Sequence, residues 1–167
     1  MPNKIKVLMV CHGNICRSPM AEFIMKDMVQ KRGLLDLFYI ASAATSTEEI
    51  WNGVGNPVYP PAREELAVHG IKCDGKRAVQ VTKKDYGDYD YLICMDGNNL
   101  RNLSRIIGTD KERKVSLLLD YTEDKGQSIA DPWYTGKFDR TYKDIVRGCE
   151  GFLKYLEENG KLKKTVY

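Results

Sequence analysis

The stretch Ile5-Lys6-Val7-Leu8-Met9-Val10-Cys11-His12-Gly13-Asn14-Ile15-Cys16-Arg17-Ser18-Pro19 decides the fold. Its first six residues form a mostly apolar run rich in β-branched types, and the run stops at His12-Gly13-Asn14. That pattern predicts a buried strand entering a tight turn. Ser18-Pro19 then predicts a helix start, with serine as the N-cap and proline at the first helical position. Met20, Phe23, Ile24 and Met28 follow at helical spacing until Gly33 ends the pattern. A strand, a tight loop and a helix fill the first 33 residues.

Outward from this unit, short apolar runs predict further strands at Phe38–Ala43, Tyr91–Met95 and Val115–Leu119. Helical patterns lie between them at Pro61–His69, near Thr82 and at Asn98–Ile107. The clearest helix is the last, where Phe138, Tyr142, Ile145, Cys149, Phe152 and Leu156 mark one apolar stripe. Strands alternating with helices predict an α/β fold: a four-stranded parallel sheet with helices on both faces. Gly53 to Pro61 and Tyr121 to Gly136 read as long irregular loops, which in a compact domain are more often functional than idle.

The 167 residues suit a single domain able to bury its own core. Lys and Arg total 26 against 23 Asp and Glu, a net charge of +3, too slight a balance to predict nucleic-acid binding. The sequence has no run of the roughly 20 apolar residues needed for a membrane span, and no signal-peptide pattern is evident. Five scattered cysteines, an odd number, fit a reducing compartment better than a disulfide framework. The expectation is a cytoplasmic monomer that needs no cofactor or metal. Lys161-Leu162-Lys163-Lys164 reads as a solvated basic end.

The chemistry concentrates at Cys11 to Ser18. This segment sits at the carboxyl end of the first strand, where open α/β sheets place their ligands. A loop curled there aims backbone N–H groups inward, and the following helix adds its positive end, which makes an anion site. The loop has no Gly-Lys-Ser/Thr, so it is not a nucleotide-triphosphate loop. It opens on Cys11 and closes on Arg17 instead. Amides at a helix N-terminus favour the thiolate of a cysteine, and a guanidinium fork suits two equatorial phosphate oxygens. Ser18 adds a hydroxyl able to bond the sulfur. A free cysteine alone is usually inert and buried; Cys11 in this company reads as a nucleophile.

The run from Val10 to Glu22, Val-Cys-His-Gly-Asn-Ile-Cys-Arg-Ser-Pro-Met-Ala-Glu, resembles the signature of the low-molecular-weight protein tyrosine phosphatases. Ser42-Ala43-Ala44-Thr45-Ser46, Val68-His69-Gly70-Ile71, Cys94-Met95-Asp96 and Asp131-Pro132-Trp133-Tyr134 follow in that family's order. The resemblance runs from about Ile5 to Glu157. It implies phosphotyrosine hydrolysis through a phosphocysteine, with protein phosphotyrosine as substrate and Asp131 as general acid. Residues His12 to Cys16 and Ser18 would cradle the phosphate, with Trp51, Trp133 and Tyr134 as aromatic walls. Asn14, Ser18, Ser42 and His69 would form a hydrogen-bond network shaping the loop. Asn14 suits such a place because asparagine tolerates left-handed backbone. Tyr134 matches a position that can itself be phosphorylated in the family.

Two loop residues carry open readings. His12 stands where the family is usually aliphatic: protonated it would further stabilise the Cys11 thiolate, and neutral and turned outward, the favoured reading, it does nothing. Cys16 either packs in the core or forms a reversible disulfide that protects Cys11. Asp96 reads as the cap of the helix after the third strand. Rival readings are weaker. A thioredoxin-linked arsenate reductase needs a cysteine relay for which Cys73 and Cys94 are poorly placed. A protein-arginine phosphatase has threonine where Ile15 stands. A silent phosphate-binding module would lack the nucleophile or the acid, and a zinc site on Cys11, His12 and Cys16 lacks a fourth ligand.

Overall fold

The computed structural model describes residues 3–163, so Lys164 of the basic end lies outside the described residues. Strands β1 (Ile5–Cys11), β2 (Phe38–Ala44), β5 (Tyr91–Cys94) and β6 (Val115–Leu117) form one parallel sheet in the order β2-β1-β5-β6. A two-stranded antiparallel hairpin, β3 (Ile50–Trp51) and β4 (Val54–Gly55), lies beside it.

The apolar run of β1 is explained by its central place. Val7 and Met9 face one layer while Leu8 and Val10 face the other, all at most 2% exposed. The first layer holds α1 (Arg17–Lys31), α2 (Pro60–Val68) and α6 (Phe138–Glu158). The second holds α3 (Lys83–Asp88) and α4 (Gly97–Ile107), which bury Leu103 and Ile107. The helices thus cover both faces, as the strand–helix alternation predicts. Among the described residues no helix is long and apolar enough to cross a membrane.

Helix α6 buries its stripe at Ile145, Cys149, Phe152, Leu153 and Leu156. Two glycines on it admit a close neighbour, the 3₁₀ turn Leu118–Tyr121. A Cβ at Gly148 would meet Leu118 Cγ at 2.4 Å, and one at Gly151 would meet the Tyr121 carbonyl oxygen at 1.9 Å. This turn also shortens the strand expected at Val115–Leu119. Asp120 accepts the Leu117 N–H at 2.9 Å, the ladder ends, and Leu118 and Leu119 curl onto α6.

Helix α1 begins differently from its predicted start. Cys16 is the N-cap and Arg17 the first helical residue, with Ser18 and Pro19 inside the first turn. The Ser18 hydroxyl is turned to Cys11 instead of capping the helix. Its C-terminus follows expectation, with Gly33 at φ 71° after the last turn.

Candidate active site

Two strand ends and a loop converge at one rim. β1 delivers Cys11, the β5–α4 junction delivers Asp96, and the loop before α5 (Pro132–Thr135) delivers Asp131. Between Cys11 and Arg17 the chain curls tightly, and Asn14 takes φ 61°, a left-handed conformation that asparagine tolerates. That reversal brings the Asn14 N–H to 3.3 Å from Cys11 Sγ. The loop is anchored from outside by Thr45 N–H to the Cys11 carbonyl at 2.9 Å and by Ser46 N–H to the His12 carbonyl at 3.0 Å.

Behind the sulfur runs a buried chain of hydrogen bonds. Ser18 Oγ lies 3.0 Å from Cys11 Sγ. Asn14 Nδ2 donates to Ser18 Oγ at 2.8 Å and to Ser42 Oγ at 2.9 Å, while Asn14 Oδ1 accepts the Val79 N–H at 3.1 Å. Ser42 Oγ in turn donates to Glu22 Oε1 at 2.6 Å. Lys76 closes the chain, donating to the Ser42 carbonyl at 2.8 Å with its ammonium 3.6 Å from Glu22 Oε1. Burial lowers the pKa of that lysine, and the Glu22 charge offsets only part of the fall.

His69 stands elsewhere, which corrects the expected network. It caps α2 at its C-terminal end, where the chain turns back through Gly70 at φ 73°. Its Nε2 lies 3.0 Å from Glu65 Oε2 one turn earlier, and its ring stacks on Tyr142 of α6 at 3.6 Å. Glu22 and Lys76 take the place expected for it. Glu22 had a signal in the sequence: a carboxylate one helical turn after Ser18, on the face that must be buried. Lys76 arrives from a distant loop and carried none.

Arg17 is 3% exposed and fully engaged along one edge. Nη1 donates to Asp96 Oδ2 at 2.7 Å and to the Ile129 carbonyl at 2.9 Å, while Nη2 reaches Asp131 Oδ2 at a loose 3.4 Å. Desolvation would lower its pKa, but the charges of Cys11, Asp96 and Asp131 outweigh that and raise it. Asp96 also caps α4 as expected, accepting the Asn99 N–H at 2.8 Å. Its grip on Arg17 was not expected. Asp131 likewise caps α5, its Oδ1 accepting the Trp133 N–H at 3.0 Å. A proline after it holds Asp131 extended at φ −76°, ψ 114°, and so presents the carboxyl at the rim.

Cys11, Arg17 and Asp131 surround a cleft of about 180 Å³, lined also by His12, Gly13, Ile15, Cys16, Trp133 and Tyr134. Trp51 is not brought to it. That ring sits on the hairpin, 79% exposed, because β3 and β4 turn it outward; Glu48 and Glu49 of the preceding loop line the cleft instead. His12 points along the mouth, its Nε2 2.9 Å from Glu48 Oε2. All five cysteines are free thiols. Burial first, and the Cys11 charge second, push the Cys16 thiol up, so it stays protonated at neutral pH.

Comparison with known proteins follows the same lines. The profile of the low molecular weight phosphotyrosine protein phosphatase family matches residues 6–162. The chain is 40% identical over 159 residues to low molecular weight protein-tyrosine-phosphatase YfkJ of Bacillus subtilis, covering 95% of this chain and 99% of that one. It is 40% identical over 152 residues to the low molecular weight phosphotyrosine protein phosphatase of Mus musculus, covering 89% and 93%. The crystal structure of YfkJ superposes with a TM-score of 0.86 at 39% identity, over 95% of this chain and 98% of that one. With the profile matched over residues 6–162 and 40% identity to curated relatives along nearly its whole length, the chain belongs to the low molecular weight phosphotyrosine protein phosphatase family.

Proposed function

We propose that the chain hydrolyses phosphotyrosine and small aryl phosphates with Cys11 as nucleophile, Arg17 as phosphate holder and Asp131 as proton carrier. Cys11 Sγ attacks phosphorus, and the bond from phosphorus to the phenolic oxygen breaks as Asp131 gives that oxygen its proton. Water then attacks the phosphocysteine while the Asp131 carboxylate takes a proton from it, releasing phosphate and the sulfur. Ser18 supports both steps: Asn14 Nδ2 fills a lone pair of its hydroxyl, which leaves the hydroxyl proton for the sulfur. The free amides of the loop and the start of α1 supply the remaining donors.

The observation that carries this reading is the placing of Cys11, Arg17 and Asp131 around one cleft walled by Trp133 and Tyr134. Ile15 also lines that cleft, an apolar wall suited to an aryl ring more than to a guanidino group. Cys73 and Cys94 are buried, 5% and 0% exposed, which favours hydrolysis over a cysteine relay. In the same reading the chain works as one domain, a cytoplasmic monomer acting on phosphotyrosine proteins without nucleic acid, membrane or metal. Its helix α6 packs back against α1 and the 3₁₀ turn, consistent with one cooperative body.

The test compares phosphotyrosine and phosphoarginine peptides with wild type, Cys11→Ser and Asp131→Asn. Cys11→Ser is expected to abolish turnover, and Asp131→Asn to cost about 10²–10⁴ in kcat. Activity persisting in Cys11→Ser overturns the mechanism. A preference for phosphoarginine overturns the substrate.

A further inference from the structure

Beside the catalytic cleft lies a second depression of about 620 Å³, against about 180 Å³ for the cleft itself. Its surface is mainly apolar, from Pro57, Val58, Tyr59, Pro60, Ala67 and Trp133. The two depressions share Ile15, Glu49 and Trp133 as walls. They are also mechanically joined. Tyr59 donates its N–H to the Ile15 carbonyl at 2.9 Å, and its ring packs on Trp133 at 4.7 Å between centroids. The groove therefore holds a fixed position relative to the phosphate loop, and Trp133 borders both the groove and the cleft.

Charge on the rim narrows what fits. Glu49 and Glu64 stand at the edge, while the Arg63 guanidinium is engaged by Asp74 at 2.7 Å. The shared walls put this groove next to any polypeptide whose phosphotyrosine sits at Cys11. Resting on the phosphatase reading above, we propose that the groove docks a large apolar side chain of the substrate polypeptide, within about three residues of the phosphotyrosine. Extended chain advances about 3.3–3.6 Å per residue, so three residues reach about 10 Å, enough to pass from the cleft into a groove that shares its walls. The acidic rim favours a basic neighbour beside that apolar residue and disfavours an acidic one. Trp133 then serves twice, as a wall for the aryl phosphate and as a wall for the docked residue.

The experiment walks a single leucine through three positions on either side of phosphotyrosine in an alanine peptide, with p-nitrophenyl phosphate as the small substrate. Partial burial of a leucine side chain predicts about a tenfold higher kcat/KM in one register. In that register, lysine beside the leucine should outperform glutamate severalfold. Ala67→Glu, at an exposed site on α2, should erase the leucine advantage and leave p-nitrophenyl phosphate kcat/KM within about twofold of wild type. Equal turnover of every peptide overturns the docking proposal and leaves the phosphatase reading standing. So does a loss in Ala67→Glu that is the same for peptide and p-nitrophenyl phosphate. No turnover of any phosphotyrosine substrate by wild type overturns the phosphatase reading, and the docking proposal with it.

Discussion

Asn14→Ala tests whether the phosphate loop is held by its side-chain network or by the backbone alone. The substitution removes three hydrogen bonds, two donated by Nδ2 and one accepted by Oδ1. At about 0.5–1.5 kcal/mol net each, they account for about 2–4 kcal/mol. Alanine must also hold φ 61°, which costs an L-residue with a Cβ about 1–2 kcal/mol. The sum, about 3–6 kcal/mol, is a large share of the 5–15 kcal/mol typical of a domain. Asn14→Gly loses the same bonds without the Cβ penalty, so it should be the more stable of the two by about 1 kcal/mol. Urea unfolding followed by far-ultraviolet circular dichroism is the right assay. Tryptophan emission would serve poorly, because Trp51 and Trp133 are 79% and 53% exposed before unfolding. Both variants should also lose about 10–100-fold in kcat/KM on p-nitrophenyl phosphate, as the Asn14 N–H and Ser18 drift from the sulfur. A loss below 1 kcal/mol for alanine, or glycine no better than alanine, refutes the account of the loop.

Gly151→Ala should destabilise the protein although alanine favours a helix by about 0.5–1 kcal/mol, because the new Cβ would lie 1.9 Å from the Tyr121 carbonyl oxygen. Overpacking of about 1–3 kcal/mol lowers Tm by several degrees, and an unchanged or higher Tm contradicts the close approach. Burial pushes the Tyr121 phenol up to about 12, against about 10 in the unfolded chain. The folded state therefore binds more protons between pH 10 and 12 and loses stability as pH rises through that window. Tyr121→Phe should flatten this alkaline loss in urea titrations, and an unaltered slope rejects it. His12→Leu breaks an exposed pairing with Glu48 and should leave the acidic limb of the pH–rate profile in place, whereas a full-unit shift would couple the imidazole to Cys11.

Much of this architecture is legible in the sequence because it obeys short-range periodicity. The Ile5–Val10 run has no polar face, so it had to sit between two layers, and it does. The stripe on α6 is continuous for the same reason. What escaped depends on contacts distant in sequence or on very short elements. Asn52 and Gly53, at φ 50° and 77°, form the turn that a two-residue hairpin favours. The flanking strands are only two residues long, too short for alternation to show, and so Trp51 was expected in the cleft and lies outside it. His69 has the right residue type near the right helix, yet the nearest partners for its ring are Glu65 and Tyr142. The salt link from Asp96 to Arg17 joins residues 79 apart, beyond any local pattern.

That link explains how a chain of small net charge binds an anion in a cleft edged by carboxylates. A buried guanidinium is costly unless its charge is met, and removing its partner leaves it uncompensated. Asp96 at 2.7 Å and the Ile129 carbonyl at 2.9 Å meet that need along the Nη1 edge. They fix the plane of the group before any ligand arrives, so little side-chain freedom remains to be lost on binding. Nη2 is held differently, by a contact with Asp131 stretched to 3.4 Å. A phosphoryl dianion offers shorter, charge-assisted bonds at that position and displaces the looser contact. Its arrival therefore does two things at once. In the proposed mechanism it completes the Arg17 fork and leaves the Asp131 carboxyl, still anchored through Oδ1 to the Trp133 N–H, free to serve the leaving oxygen. On that mechanism the strong pairing with Asp96 positions the arginine, and the longer contact with Asp131 is the one that yields to substrate.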